Sequence, residues 1–330
     1  MARVFVTGGS GFVGRNLIRA LVARGDEVVA LARSPASTLT VEELGALSAS
    51  GDLEDVDALR EGMRGCEAVF HSAAQVTEWG DPDDFYRFNV TGTNNVIQAA
   101  RAAGVKTLVH ISTEAVLANG MPLVNVDETY PRPDNALPRY PRTKAQAEAA
   151  IIAANDENLK TVVVRPRFIW GKDDTSVLGQ IVEAVKTGRF MWMDGGRYLS
   201  STCHVDNVVE GALLAADKGR GGEIYFLTDG EPVEFRDWIT RLLATQNVTP
   251  PDKSIPRWLA WNAAKVCEGL WNLFGIQSPP PVTRVTVNLI GQEVTVNDAK
   301  ARRELGYTSH VSRETGLAGI RDYSAGRIAG

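Results

Sequence analysis

Eight residues near the start of the chain restrict its fold more than any others. The run Thr7-Gly8-Gly9-Ser10-Gly11-Phe12-Val13-Gly14 follows a short apolar strand pattern, Arg3-Val4-Phe5-Val6-Thr7. It leads into Asn16-Leu17-Ile18-Arg19-Ala20-Leu21-Val22, where apolar residues recur at helical spacing. Glycine at such a turn permits positive φ and close backbone approach, and the free amides of the helix start can then cradle a pyrophosphate. The same alternation continues downstream. Strand patterns near 3–7, 27–31, 68–72 and 107–112 alternate with helix patterns near 12–24, 54–63, 84–103 and 140–154, and Thr161-Val162-Val163-Val164-Arg165 adds another strand. The reading is α/β, a doubly wound parallel sheet with its ligand at the carboxyl ends of the strands.

After Gly171 the alternation loosens. A helix beginning near Asp206 and the strand Glu223-Ile224-Tyr225-Phe226-Leu227 are expected to return to the sheet. The expected division is a dinucleotide-binding domain over 1–171, with returning segments at about 201–230, and a smaller, interwoven C-terminal substrate lobe over 172–200 and 231–330.

The second motif is Tyr140-Pro141-Arg142-Thr143-Lys144, which puts a phenol and an ammonium on one helix face. A free tyrosine has a pKa near 10, and lowering it by roughly 3 units takes about 4 kcal/mol. A cation about 4 Å away supplies only ~1 kcal/mol in water but ~4 at an effective dielectric of ~20. The pair therefore needs a partly dried cleft. A neighbouring hydroxyl would orient a substrate oxygen and stabilise its developing charge. Thr113, after Thr107-Leu108-Val109-His110-Ile111-Ser112, is the choice for that role, with Ser112 left open. Together with the glycine turn, this set describes hydride chemistry on a nicotinamide cofactor. Either motif alone is weak, because Tyr-x-x-x-Lys also arises by chance on amphipathic helices.

In order and type these motifs resemble the extended short-chain dehydrogenases/reductases, the NAD(P)-dependent epimerase/dehydratase superfamily, and most of all its 3β-hydroxysteroid dehydrogenase branch. The likeness spans nearly the whole chain. It includes Gly51-Asp52-Leu53, Val69-Phe70-His71-Ser72-Ala73-Ala74, Asn89-Val90-Thr91-Gly92-Thr93, Tyr140 through Glu148, Arg165-Pro166-Arg167-Phe168-Ile169-Trp170-Gly171 and His204-Val205-Asp206-Asn207-Val208. The resemblance implies a Rossmann fold with Gly8, Gly11, Phe12, Val13 and Gly14 at the pyrophosphate, Asp52 and Leu53 at the adenine, and Ala73 and Ala74 beside the cofactor. It implies a structural role for Asn89 and a catalytic one for Thr113, Tyr140 and Lys144. Lys144 would also hold the cofactor ribose and lower the tyrosine pKa, and Tyr140 would lie at the cofactor too.

By the same likeness, the acid that binds a ribose 2′-hydroxyl in NAD enzymes falls on Ala32, with Arg33 next. A small residue followed by a guanidinium suits a 2′-phosphate, so NADP(H) is expected over NAD(H). The expected reaction interconverts a secondary alcohol and a ketone on an apolar, steroid-like or β-keto/β-hydroxy substrate. Sugar-nucleotide dehydration is disfavoured, because Thr113-Glu114-Ala115 lacks the paired acids of a Thr-Asp-Glu segment. A sugar-nucleotide epimerase is kept as the alternative, although Val116-Leu117-Ala118-Asn119 replaces the usual Val-Tyr-Gly. A non-catalytic cofactor-sensing regulator ranks below both, since such proteins typically lack the tyrosine. Helices 84–103 and 140–154 often pair across a dimer in this superfamily, so a homodimer is expected.

Composition narrows the partners. The 330 residues are 44% hydrophobic and 23% charged, with a net charge of −5 that offers no basic stripe for nucleic acid. Cys66, Cys203 and Cys267 and four histidines show no metal-ligand or disulfide spacing, so no metal is expected. The first strand begins within three residues of Met1, which is read as leaving no room for a signal peptide and favouring a cytoplasmic setting. Met191-Trp192-Met193, Tyr198 and Trp170 either line an apolar pocket or fill the lobe's core. In the segment from Pro256 to Gly275, Leu259, Val266, Leu270 and Leu273 share one helical face and Lys265, Glu268 and Asn272 the other. It is too short and too charged to span a bilayer. A surface helix packed on the lobe is expected, with a lid or a weak membrane-surface contact as alternatives.

Overall fold

The computed structural model describes residues 1–76, 79–133, 139–174 and 177–324; the parts of the expected domains at 77–78, 134–138, 175–176 and 325–330 lie outside the described residues. The chain opens with β1 (Arg3–Thr7), α1 (Phe12–Ala23), β2 (Glu27–Ala32), α2 (Pro35–Glu43), β3 (Leu47–Ser50), α3 (Val56–Gly62) and β4 (Ala68–His71). It continues with α4 (Pro82–Phe85), α5 (Gly92–Ala102), β5 (Thr107–Ile111), β6 (Leu123–Val126), α6 (Tyr140–Ala153) and β7 (Lys160–Pro166). Next come β8 (Ile169–Trp170), α7 (Val177–Lys186), β9 (Trp192–Met193), β10 (Leu199–Ser200), β11 (Cys203–His204), α8 (Val205–Lys218), β12 (Ile224–Leu227), β13 (Val233–Glu234), α9 (Phe235–Ala244) and β14 (Ser254–Ile255). The last elements are α10 (Arg257–Leu273), α11 (Arg284–Ile290), β15 (Val294–Val296), α12 (Ala299–Leu305) and α13 (Arg313–Ser324).

Seven strands form one sheet in the order β12-β7-β5-β4-β1-β2-β3, and every neighbouring pair is parallel. Apolar runs in the central strands suit burial on both faces. On one face Leu17, Ile18 and Leu21 of α1 pack with Val208 and Ala212 of α8; on the other lie Leu59 of α3, Val96 and Ala100 of α5 and Ile151 of α6. The chain changes direction between β1 and β4, which opens a crevice at their carboxyl ends, where Thr7 pairs with His71. The expected helix near Asp206 and the strand ending at Leu227 do return: β12 pairs with β7, with α8 just before it.

Several elements before α6 differ from the local sequence reading, strand β6 among them. Helix α2 and strand β3 are additional; α2 starts at Ser34, whose hydroxyl accepts from the Ser37 amide in a capping box. The expected helix over 84–103 is divided by a π-helical segment, Tyr86–Thr91. That wider turn brings Asn89 inward, where its Oδ1 accepts from the Gln75 amide at 2.7 Å and its Nδ2 donates to the Thr143 hydroxyl at 3.0 Å.

A second sheet, β13-β10-β15-β6, combines lobe strands with one strand from before α6. The lobe's core is aromatic: Trp192 and Trp238 are buried with Phe168, Trp170 and Phe235, and the Trp170 and Trp238 rings meet edge to face at 4.6 Å. Trp170 and Trp192 thus fill that core, and the Tyr198 hydroxyl, half-buried against it, donates to the Ile290 carbonyl. Helix α10 turns its apolar face outward, against expectation, while Lys265 and Asn272 of its polar face are exposed as expected. Ala260, Ala264 and Glu268 are buried, whereas Leu259, Val266, Leu270 and Leu273 face outward. The small alanines allow close approach to Val287 of α11, and Arg284 at the start of α11 accommodates the Glu268 carboxylate at 2.7 Å.

Candidate active site

The glycine turn is built for close contact. Gly8 has φ +71°, and a Cβ there would stand 2.7 Å from the Ala73 nitrogen; one on Gly14 would stand 2.0 Å from the Gly8 carbonyl oxygen. Only glycine fits either position without moving backbone. Gly11 is the N-cap of α1 with no side-chain capping bond, and the first turn, holding Phe12, Val13 and Gly14, carries no acid. The first amides of α1 are therefore left for an anion, which is the donor set a pyrophosphate requires. The residues present fit a dinucleotide.

Around this turn the other expected contacts gather at the ends of β2, β3 and β4. Ala32 is buried at the end of β2, and Arg33 beyond it is exposed without an ion pair among the described residues. The Asp52 carboxylate accepts from the amides of Glu54 and Asp55, and Leu53 is buried against the Gly92 end of α5. The Ala73 amide donates to the Thr7 hydroxyl at 3.3 Å, with Ala74 next along the same loop.

Thr113 and Tyr140 come together on the other side of the crevice. Thr113 ends β5's extension and accepts from the Ala115 amide, while its hydroxyl donates to Glu114 Oε2 at 2.9 Å. The Tyr140 phenol lies beside it, close enough for the Thr113 hydroxyl to act on its titration. Ser112, the alternative, points elsewhere: its hydroxyl donates to Glu148 Oε2 at 2.8 Å in the interior. The Lys144 ammonium, buried on α6, donates to the Ile111 carbonyl at 2.9 Å and to His110 Nε2 at 3.2 Å. Two of its three N–H groups are thus fixed on β5 and the third is free to turn toward a ligand.

The electrostatics differ from the expectation that the ammonium makes the phenol acidic. Burial pushes the Tyr140 phenol well above its ordinary value, the Glu114 carboxylate adds to that, and the Thr113 hydroxyl opposes it. Lys144 spends its charge on β5 instead, where burial brings its own pKa down to about 8 against the supporting charge of Glu148. In this state the phenol is a held acid rather than a ready base.

Two buried histidines tie the halves together. His71 Nε2 lies 2.9 Å from the Thr93 hydroxyl, which itself donates to the Asn89 carbonyl, so the ring proton sits on Nε2. His71 Nδ1 then accepts from the Thr7 hydroxyl at 2.7 Å. Burial first, and Lys144 second, bring its pKa down to about 3, so the ring is neutral at any working pH. His110 accepts from Lys144, which places its proton on Nδ1, a buried atom with no partner among the described residues.

With this geometry in view, residues 5–257 match the model of the 3-beta hydroxysteroid dehydrogenase/isomerase family. The chain belongs to that family. A 4-hydroxy-2-methyl-3-oxo-4-farnesyl-3,4-dihydroquinoline-1-oxide ketoreductase of Stigmatella aurantiaca is 53% identical over 97% of this chain and 96% of its own length. A 2-alkyl-3-oxoalkanoate reductase of Stenotrophomonas maltophilia is 36% identical over 98% and 99%. Among solved structures, that of gox2253 superposes with a TM-score of 0.79 at 30% identity, covering 100% of both chains. This 3β-hydroxysteroid dehydrogenase family member is an NAD(P)-dependent oxidoreductase acting on CH–OH groups and their ketones.

Sequence reasoning did not bring out four neighbours of the site in this family member. Glu114 and Arg167 form a buried pair, Nη1 to Oε1 at 3.2 Å, at the Thr113 hydroxyl. Their one sequence signal is that Glu114 adjoins Thr113, and Arg167 lies far along the chain. His71 and His110 are each read within a strand, without ligand spacing and without a link between them. They meet because β4 and β5 pair in register, His71 opposite His110, with ring centres 5.0 Å apart.

Proposed function

We propose that the protein is an NADP(H)-dependent ketoreductase for a bulky apolar ketone, steroid-like or β-keto, working through Thr113, Tyr140 and Lys144. The observation that carries this reading is the Tyr140 phenol set beside Thr113, with the Lys144 ammonium held one turn along α6. A bound nicotinamide supplies hydride to the carbonyl carbon. Tyr140 donates its proton to the carbonyl oxygen, a task suited to a phenol whose pKa is raised. Thr113 turns its hydroxyl from Glu114 to that oxygen and stabilises the charge that develops there. Lys144 uses its third N–H on the ribose and, once that side of the cleft is dried, favours the phenolate left behind.

Gly8, Gly11, Phe12, Val13 and Gly14 would hold the pyrophosphate, and Asp52, Leu53, Ala73 and Ala74 would flank the adenine half and the ring. The preference for NADP(H) is supported by buried Ala32 and by the exposed Arg33, which has no ion pair among the described residues. The apolar substrate class is supported by the Stigmatella relative, named for a farnesylated ketone. The three free cysteines suit a cytoplasmic setting, and a homodimer is retained on the likeness to the superfamily.

The test is a panel of apolar ketones and nucleotide sugars followed by cofactor absorbance, with NADPH and NADH compared. Steady oxidation of NADPH by an apolar ketone is expected. Tyr140→Phe should fold and bind cofactor while turnover falls about 10²–10⁴-fold, the scale of a general acid. Near-normal turnover in that variant would remove the mechanism, equal specificity constants would remove the NADP(H) preference, and sugar epimerisation without net cofactor change would replace the activity.

A further inference from the structure

The loop that carries Thr113 also buries a carboxylate that its own turn does not need. A short 3₁₀ turn, Glu114–Leu117, starts at Thr113 and is already capped by the Thr113 oxygen, which accepts from the Ala115 amide at 3.2 Å. The Glu114 side chain is thereby left for other contacts. Its Oε2 takes the Thr113 proton at 2.9 Å and its Oε1 meets Arg167 Nη1 at 3.2 Å, with both charged side chains at most 4% exposed.

Arg167 is itself fixed from the lobe. It follows β7, and its Nη2 donates to the Leu289 carbonyl of α11 and, at 3.3 Å, to the Ser200 hydroxyl at the end of β10. Its Nε is buried without a partner. Such a pair is a poor device for stability, because burying two charges costs about as much as their attraction returns, and apolar residues of like volume often serve as well. A buried N–H left unpaired adds to the cost. The value of the pair lies instead at the crevice group it touches, the Thr113 hydroxyl.

We propose that Glu114 is a positioning residue that holds the Thr113 hydroxyl ready for the substrate oxygen, with Arg167 as its counter-ion. Thr113 has one proton to give, and its O–H turns freely about the Cβ–Oγ bond. With Glu114 accepting that proton, the Thr113 oxygen keeps one place beside the Tyr140 phenol. A carbonyl oxygen arriving there draws the proton over by a turn about a single bond, with no heavy atom moved, as preorganised stabilisation requires. Arg167 restrains the carboxylate and offsets its charge, so Glu114 does not outcompete the substrate for the proton. The inference deepens the proposed function and rests on it, since it acts through Thr113.

Glu114→Ala alone would strand the buried charge of Arg167 and confuse folding with function, so neutral pairs of similar volume make the test. Kinetics use the full-length protein, NADPH and the apolar ketone that wild type reduces best. Glu114→Gln/Arg167→Met keeps an acceptor for the Thr113 hydroxyl and should hold kcat within about threefold. Glu114→Leu/Arg167→Met drops the acceptor and should lower kcat about ten- to a hundredfold, with the ketone KM changed by no more than about twofold. Added to Thr113→Val, the second pair should cost no more than about twofold further, because the group it acts through is gone. Equal kcat in the two pairs would overturn the proposal. So would an equal loss with and without the Thr113 hydroxyl, which marks a packing effect. Tyr140→Phe separates the two levels: near-normal turnover there removes the proposed reaction, whereas its loss without coupling between Glu114 and Thr113 removes this inference alone.

Discussion

Helices α6 and α10 each bury one glutamate against an arginine, and they do so for different reasons. On α6, Glu148 is fully buried with Arg165 of β7 at 2.8 and 2.5 Å, receives the Ser112 hydroxyl and supports the Lys144 charge. On α10, Glu268 meets Arg284, which is still 30% exposed, and the helix's large apolar side chains lie outside. The first arrangement holds chemistry in place. The second turns apolar surface outward. Polarity alone therefore does not say which side of a helix is inside; the partner offered by the neighbouring element decides.

The two glutamates give the largest contrast. Removing one member of a fully buried pair leaves an uncompensated charge, so Glu148→Gln should cost about 3–5 kcal/mol. Glu268→Gln leaves Arg284 able to reach water, and solvent screening cuts the loss to about 1 kcal/mol. Urea unfolding of both variants checks this. Equal losses would show that the two pairs are equally dry and would erase the distinction.

That distinction also marks what the sequence could disclose. The strand-turn-helix at Gly8–Gly14 and the Tyr140/Lys144 spacing were readable because each depends on residues close in sequence. Thr113 was chosen from its place at a strand end, with Ser112 left open by the same local pattern. The Glu114–Arg167 pair and the His71–His110 contact depend on strand register and on elements far apart, so no local pattern carries them. The π-helical turn at Asn89 answers to bonds with Gln75 and Thr143, again outside its own helix. For α10, periodicity found the apolar face but put it inside; the buried side is Ala260, Ala264 and Glu268, because the alanines pack closely and Arg284 takes up Glu268, while Lys265 and Asn272 stay exposed as expected.

A smaller effect concerns pH. The Lys144 pKa is about 8 in the fold and near 10.5 in the unfolded chain. Between those values the unfolded state binds more protons, so this residue's contribution to stability rises with pH across that window. Activity should move the other way, since the ammonium is lost from the free enzyme above about pH 8. kcat/KM is thus expected to fall up to tenfold per pH unit there while the melting temperature does not follow it down. Glu148 raises the Lys144 pKa, so Glu148→Gln, where it folds, should move the activity limb to lower pH. A limb that stays in place would separate Glu148 from the ammonium.

The smallest expected effect is the sharpest check on α10. Leu17 of α1 is fully buried, and its truncation to alanine should cost about 2–5 kcal/mol through lost burial and a residual cavity. Leu273 is 76% exposed and has little burial to lose. Leu273→Ala should therefore change stability by no more than about 0.5 kcal/mol. The comparison uses one residue type and one substitution, so only the environment differs. A cost at Leu273 near that at Leu17 would mean that α10 buries its leucine face in solution, against the lobe or another copy. A cost near zero would show that the face stays exposed in solution.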